Sequence, residues 1–335
     1  RNLKKIPDVN IVAIADPNEE SRKWARKACE DKFKIRLYED YKELLAEKDI
    51  DVIVVASPNF THIEIMRELF KTDKHVLLEK PMCTTLPDSL EVLEKSKDHG
   101  GLVWVGLEYR YMSPIQSLIK HIEEIGDIRM LSIREHRFPF LEKVDNWNRF
   151  NENTGGTLVE KCCHFFDLMN LIVPSKPIKV YASGGQDVNH LDEKYDGKTP
   201  DIIDNSFVIV DYQDGQRAML DLCMFAEAGK YEQEIVLTGD QGKLETHIPG
   251  NELLLTNRKN YSLKTIEVKD DPRVKEVGFH HGASYIEHLE LIDCIKNKKK
   301  PLVDCQKGLD SIILGLAAQE SIQTGEPVFL ENFLN

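Results

Sequence analysis

Apolar and polar residues follow two different periods along this chain, and the change of period divides it. Up to about residue 108, short apolar runs are separated by stretches of helical period. "VNIVAIAD" (9–16), "IDVIVVASP" (50–58), "HVLLEKP" (75–81) and "LVWVGLEY" (102–109) predict strands. The second is a nearly continuous β-branched run, the pattern of a strand covered on both faces. Residues 18–33, 62–73 and 86–100 predict helices. The first starts at Asn18, with acids in its first turn and bases later, which suits the helix dipole. Strands separated by helices imply right-handed crossovers and a parallel sheet. Beyond 109, strand-period segments dominate at 128–140, 178–188, 205–225, 232–248, 251–259 and 264–270. "QDGQ" and "GDQG" mark hairpin turns in two of them. Helices are expected at 156–172, 283–297 and 306–324. The fold class is α/β followed by α+β: a parallel-sheet domain over 1–108, then a domain with one open, largely antiparallel sheet over 109–335.

At 335 residues, 41% hydrophobic and 30% charged, the chain can bury a sizeable core and has room for two domains. Its formal net charge of −13 repels phosphate backbones and anionic headgroups, so neither nucleic-acid nor membrane binding is expected. The densest basic run, "KNKKKP" (296–301), follows a predicted helix and reads as its solvated end. No apolar run approaches the ~20 residues that span a bilayer. Seven cysteines without regular spacing suggest free thiols in a reducing, cytoplasmic setting. The chain begins at Arg1 and not at Met, which leaves an earlier targeting segment open.

A dinucleotide-binding α/β domain opens with strand, Gly-rich turn and helix. Its second strand then ends in an acid, ~20 residues past the glycines, that binds the adenosine ribose. Asp16 stands where that acid is expected, and counting back from it runs past Arg1, so no Gly-rich fingerprint can be assigned. Asp16 is equally an ordinary turn or N-cap acid before Pro17. If it holds the ribose, its charge disfavours a 2′-phosphate and favours NAD over NADP, with nearby Arg22 pulling the other way. "ASPNFTH" (56–62) sets Ser57, Pro58 and Asn59 at the carboxyl end of a strand, where open α/β sheets bind ligands. A plain strand-to-helix turn explains the same residues.

Lys80 in "HVLLEKPM" (75–82) falls on that same edge. Together with "SPNFTH" (57–62), "VGLEYRYMSP" (105–114), "NWNRF…GGTLVEKCCHFFD" (146–167) and "GEPV" (325–328), it resembles the glucose–fructose oxidoreductase/inositol dehydrogenase family. The resemblance runs in matching order over essentially the whole chain. It implies a Rossmann domain and an open-faced second domain whose sheet commonly mediates oligomerisation, here to a homo-dimer or homo-tetramer. It also implies a tightly held nicotinamide cofactor and a sugar or cyclic polyol substrate. Carried over by position, Ser57, Pro58, Asn59, His62, Glu79 and Lys80 join Asp16 along the cofactor, and Lys80–Pro81 is often cis in relatives. Tyr109, Trp147 and Arg149 fall on the substrate side. Glu160 and His164 match an acid and a histidine four residues on. The acid is usually Asp, and Cys162 stands where relatives usually carry glycine.

"LVEKCCHFFD" (158–167) suggests a metal or redox site at first sight. On a helix from Thr157, at about 100° per residue, Glu160, His164, Asp167 and Leu171 share one stripe while Cys162 and Cys163 point elsewhere. Zinc needs convergent ligands and adjacent cysteines make poor disulfide partners, so structural thiols and no metal are expected. Thr157 and Glu160 also fit a capping box, and Asp167 either orients His164 or packs at a domain junction. Oxidising an alcohol needs a base with pKa near working pH. His164 is assigned that role, with Lys80 stabilising the developing alkoxide and Glu160 positioning a neighbouring hydroxyl or His164. In "EVGFHHGASYIEHLEL" (276–291), His281 and Tyr285 are candidate substrate contacts, against a reading as loop and half-buried helix face. The expected function is an NAD-dependent sugar or cyclitol dehydrogenase. A redox-cycling glycosidase and a non-catalytic regulator that binds NAD or sugar are the alternatives.

Overall fold

The computed structural model describes residues 2–333. Its N-terminal part holds five parallel strands in two groups: β1 (Ala13–Ala15) pairs with β2 (Arg36–Tyr38), while β3 (Val52–Val55), β4 (His75–Glu79) and β5 (Val103–Gly106) form a separate sheet in that order. The expected helices form, and their caps explain where they start. Asn18 accepts the Ser21 amide at 3.0 Å ahead of helix Glu19–Cys29. Thr85 does the same for Asp88 ahead of helix Leu86–Lys97.

One strand was missed and one expectation is corrected here. β2 was not foreseen, because three residues are too few to display a period. β3 is fully covered on one face only: Ile53 and Val55 are buried, whereas Val54 on the other face is 39% exposed.

The C-terminal part is one nine-stranded sheet. Its strands are β6 (Ile128–His136), β7 (Pro177–Gly185), β8 (Asn205–Tyr212), β9 (Arg217–Cys223), β10 (Gln233–Gly239), β11 (Gly242–Ile248), β12 (Glu252–Asn257), β13 (Ser262–Glu267) and β14 (Val328–Phe329). Their order is β13-β12-β11-β10-β6-β9-β8-β7-β14. Only the β6–β9 pair is parallel, so the open antiparallel sheet is as expected. The "GEPV" segment supplies the edge strand β14 against β7. Period-2 patterning buries Val180, Val210 and Leu220 on one face, where helix Cys305–Thr324 packs on β7 and carries helix Cys163–Ile172 against its other side. On the other face Tyr181, Ile209 and Met219 lie abreast on adjacent strands and are exposed.

Helix Cys305–Thr324 ties the two sheets together. Asp304 caps its start and Gly325, at φ 74°, ends it. It packs on the large sheet and on helix Leu86–Lys97, and just before it the Val303 carbonyl accepts the Val105 amide at 3.0 Å on the edge of β5.

The helix expected at 156–172 is two helices, Thr157–Glu160 and Cys163–Ile172. The Cys162 amide reaches back five residues to the Thr157 carbonyl at 3.3 Å, and the second helix restarts with Phe166 bonded to the Cys162 carbonyl. The single stripe through Glu160 and His164 is therefore broken between them.

Candidate active site

Lys80 follows β4 directly, and its peptide to Pro81 is cis. The ammonium donates to the Glu160 carbonyl at 2.9 Å, joining the end of helix Thr157–Glu160 to the carboxyl edge of the small sheet. Gly155 and Gly156 make that approach possible. Both have positive φ (78° and 88°), and an added Cβ would lie 2.8 Å from the Thr84 carbonyl or 1.6 Å from Gln319 Oε1.

The capping box does not form: Gly156 is the cap residue, and the Thr157 hydroxyl donates to the Ile203 carbonyl at 2.6 Å. Glu160 is thus not used by the helix end. Its Oε2 is buried without a hydrogen-bond partner. Burial pushes its carboxyl up to about 7, against the pull of Lys80, Lys143, Arg149 and Lys161.

His164 is buried, with its ring stacked flat on Tyr109 (centroids 3.9 Å apart, planes 3° apart). Its Nδ1 has no hydrogen-bond partner and lies 3.8 Å from Glu108 Oε2. Burial pushes the imidazole well below its ordinary range, only partly opposed by Glu108, so the ring is neutral, with a proton affinity lower than the near-working-pH value expected of the base. Glu108, just past β5, turns its other oxygen to His280 Nδ1 at 2.6 Å. Burial disfavours its charge; with His164 neutral, it is the close His280 contact that opposes burial and lowers the carboxyl. Lys161 sits beneath, 2.8 Å from Glu135 Oε1 and 3.2 Å from the Tyr109 hydroxyl. Burial lowers its proton affinity, yet Glu135 more than restores it and keeps the cation.

Other expected residues divide by position. Asn59 is buried at the β3 edge with Nδ2 unpartnered. Ser57 Oγ and the Pro58 carbonyl both accept from the Thr61 hydroxyl at 2.7 Å, the turn chemistry anticipated there. His62 lies between the Pro81 carbonyl (3.0 Å) and the Ser57 carbonyl (3.2 Å), clamping two edge loops together. Glu79 Oε2 covers Gly106, where a Cβ would come within 3.0 Å, and burial pushes its carboxyl up to about 7. Trp147 meets Phe60 edge-on at 6.3 Å, and Arg149 is buried against Glu193 at 3.2 Å. Asp16 Oδ1 accepts the Asn18 amide at 2.8 Å, while Arg22 donates to the Asp16 and Pro17 carbonyls.

Three residues lie elsewhere than the motif suggested. Asp167 does not orient His164; it forms a two-pronged buried pair with Arg110. His281 is exposed at φ 51°, and its neighbour His280 faces the site instead. Tyr285 is buried away from it, donating to the Lys5 carbonyl at 3.3 Å and packing with Ile6 and Ile286. Cys162 and Cys163 are free and fully buried, and burial raises both thiols, Cys163 to about 12. Sequence reasoning missed Glu108, His280 and Lys161. The one available signal was a carboxylate placed immediately after the buried strand β5.

Residues 1–107 match the model of an oxidoreductase family's NAD-binding Rossmann fold, and residues 119–330 match the same family's C-terminal alpha/beta domain. The chain belongs to this glucose–fructose oxidoreductase/inositol dehydrogenase family. Within the family it is 27% identical to an uncharacterized oxidoreductase of Bacillus subtilis, over 99% of this chain and 92% of that one. It is 26% identical to a myo-inositol 2-dehydrogenase of Thermotoga maritima, over 99% and 95%. The fold is shared with a probable dehydrogenase from Thermotoga maritima (TM-score 0.79, 24% identity, 99% and 94% covered). It is also shared with a levoglucosan dehydrogenase solved with NADH and levoglucosan (TM-score 0.84, 18% identity, 96% and 90% covered). The first glycine in the sequence is Gly100, so the diphosphate-binding turn is not among these residues. No helix among the described residues is long and apolar enough to cross a membrane.

Proposed function

We propose that this oxidoreductase moves a hydride between a nicotinamide cofactor, NAD in preference to NADP, and a ring CH–OH or carbonyl of a sugar or cyclic polyol. The observation that carries this reading is one cluster at the carboxyl edge of the parallel sheet. In it Lys80 is bonded to the backbone of Glu160, while an unpartnered Glu160 carboxyl and a neutral, buried His164 stand beside it. The bound nicotinamide supplies the hydride acceptor or donor. His164 removes the hydroxyl proton in oxidation and returns it in reduction. The Lys80 ammonium stabilises charge developing on the same oxygen, in a site dry enough for that interaction to be strong. Glu160 accepts a hydrogen bond from an adjacent hydroxyl, a group that polyols offer and simple alcohols do not.

Ser57, Pro58, Asn59 and Glu79 would line the nicotinamide end, with His62 bracing the loops that hold them. Asp16 would take the ribose. Arg22 is tied to backbone carbonyls and not offered to a 2′-phosphate, which supports NAD. Tyr109, Trp147 and Arg149 border the substrate side. In this reading residues 1–108 bind the cofactor, and residues 109–335 bind substrate and present an open sheet face to a second copy. The substrates named for the Thermotoga and levoglucosan enzymes support the chemical class. To test it, the purified protein is mixed with NAD+ or NADP+ and myo-inositol, scyllo-inositol, levoglucosan or glucose, following reduced-nicotinamide absorbance. Reduction of NAD+ with at least one cyclic polyol is expected. No reduction of either cofactor by any member overturns the reading.

A further inference from the structure

Beyond the cluster just described, one buried arrangement has no assigned role: an imidazole, a carboxylate and a second imidazole in a row. Glu108 Oε2 lies 3.8 Å from His164 Nδ1, and Glu108 Oε1 lies 2.6 Å from His280 Nδ1. The Glu108 side chain is 6% exposed and His280 is 39% exposed, so the row runs from the buried base to the surface. His280 is held in turn, its Nδ1 also 3.3 Å from the Ser284 hydroxyl. The stack of Tyr109 on His164 fixes the plane of the base but cannot choose which ring nitrogen carries the proton. That choice decides whether the base can work. A ring protonated on Nδ1 leaves Nε2 free to accept the substrate proton, and an acceptor facing Nδ1 selects that form.

We infer that Glu108 is the positioning residue for the base: its carboxylate holds His164 in the Nδ1–H form and provides the counter-charge when the ring becomes an imidazolium, while His280 holds the carboxylate turned toward it. This rests on His164 being the base. The 3.8 Å separation closes to a hydrogen bond as charge develops on the ring, because such bonds are commonly long before substrate is bound. No proton passes to Glu108; it stays ionised while His164 gains and returns one proton at Nε2. The surroundings make this carboxylate necessary. Lys80, His280 and Lys161 all oppose a positive His164, and the Glu108 carboxylate favours it. Glu79 and Glu287 feel the same carboxylate: burial raises both, and Glu108 raises them further.

The test reads the base without requiring substrate. In histidine-15N-labelled protein, His164 is expected as the Nδ1–H tautomer, and this preference is lost in Glu108→Met. Persistence of Nδ1–H in Glu108→Met overturns the inference. Glu108→Gln, which keeps size and polarity if the Met variant does not fold, is read in parallel by kinetics on whichever cyclic polyol the wild type oxidises. There kcat falls about 100-fold at nearly constant KM, and the rise of rate with pH moves to lower pH, because the imidazolium has lost its counter-charge. Glu108→Gln with wild-type kcat and pH profile also overturns it. A wild type that oxidises no polyol defeats the proposed function, while the tautomer result still decides the role of Glu108.

Discussion

A carboxyl pushed up by burial, like that of Glu160 at about 7, has a consequence for stability as well as chemistry. Its folded pKa lies above the unfolded value near 4.3, so the folded state binds the proton more tightly. That contribution is full below pH about 4 and is lost as pH rises through 7. Glu160→Gln removes the titration, so the variant should gain stability relative to wild type between pH 5 and pH 8, by on the order of 3 kcal/mol at most. Urea unfolding of both proteins at the two pH values checks this, and an unchanged difference refutes it. Lys80→Ala should lower kcat about 100- to 1,000-fold because an oxyanion-stabilising donor is lost, and should lower the thermal midpoint modestly because the Glu160 carbonyl loses its donor. Full retention of activity rules the assignment out. Lys80, Glu160 and His164 were legible because each sits in a short motif beside a strand end or a glycine pair. Glu108 and His280 were not. Two adjacent histidines look equivalent in a sequence, and only the left-handed backbone at His281 sends one to solvent and the other inward.

Elements were legible where a period could develop and illegible where backbone bonding overrode it. The long strands and capped helices follow their patterns, whereas β2 and helix Ser113–Lys120 were missed. The expected helix at 156–172 broke because the Cys162 amide bonds five residues back, a choice that side-chain period does not record. The position of that first short helix depends on helix Cys305–Thr324, and two of its glycines test the dependence. An added Cβ at Gly315 would lie 2.6 Å from the Leu158 carbonyl and 3.1 Å from its carbon, both backbone atoms of the helix that carries Glu160. At Gly308 the same Cβ would meet the Met82 sulfur at 3.0 Å, the movable part of a flexible side chain, although Val105 is also close at 3.1 Å. Replacing glycine by alanine within a helix gains roughly 1 kcal/mol in propensity. Gly308→Ala should therefore be close to neutral. Gly315→Ala should destabilise by about 1–3 kcal/mol through overpacking and lower kcat by displacing Glu160. Calorimetry and turnover of the two variants give the comparison, and equal behaviour would refute the coupling.

For the whole molecule, the two sheets meet where a parallel edge and a helical layer converge, and the site lies along that seam. The alternation of two periods made this division legible, and the open face of the large sheet was expected as well; which side chains populate that face was not. That face is not a random surface. Tyr181, Ile209 and Met219 stand side by side on β7, β8 and β9, with Phe207 (61% exposed) and Met130 (58% exposed) on the same sheet. Clustered apolar side chains of this kind on a flat, regular surface mark an interaction site, and a sheet face can meet a second copy of itself about a two-fold axis. The net charge of −13 works against association at low ionic strength, so an apolar contact strong enough to overcome it should persist and tighten as salt screens the repulsion. Light scattering is expected to show a dimer or tetramer, and the double variant Phe207→Glu/Ile209→Glu should shift it toward monomer while circular dichroism stays unchanged. Activity in that monomer should survive, because no residue assigned to the site lies on this face. A wild type that is monomeric at every salt concentration, or a double variant that remains assembled, excludes the open sheet face as the interface.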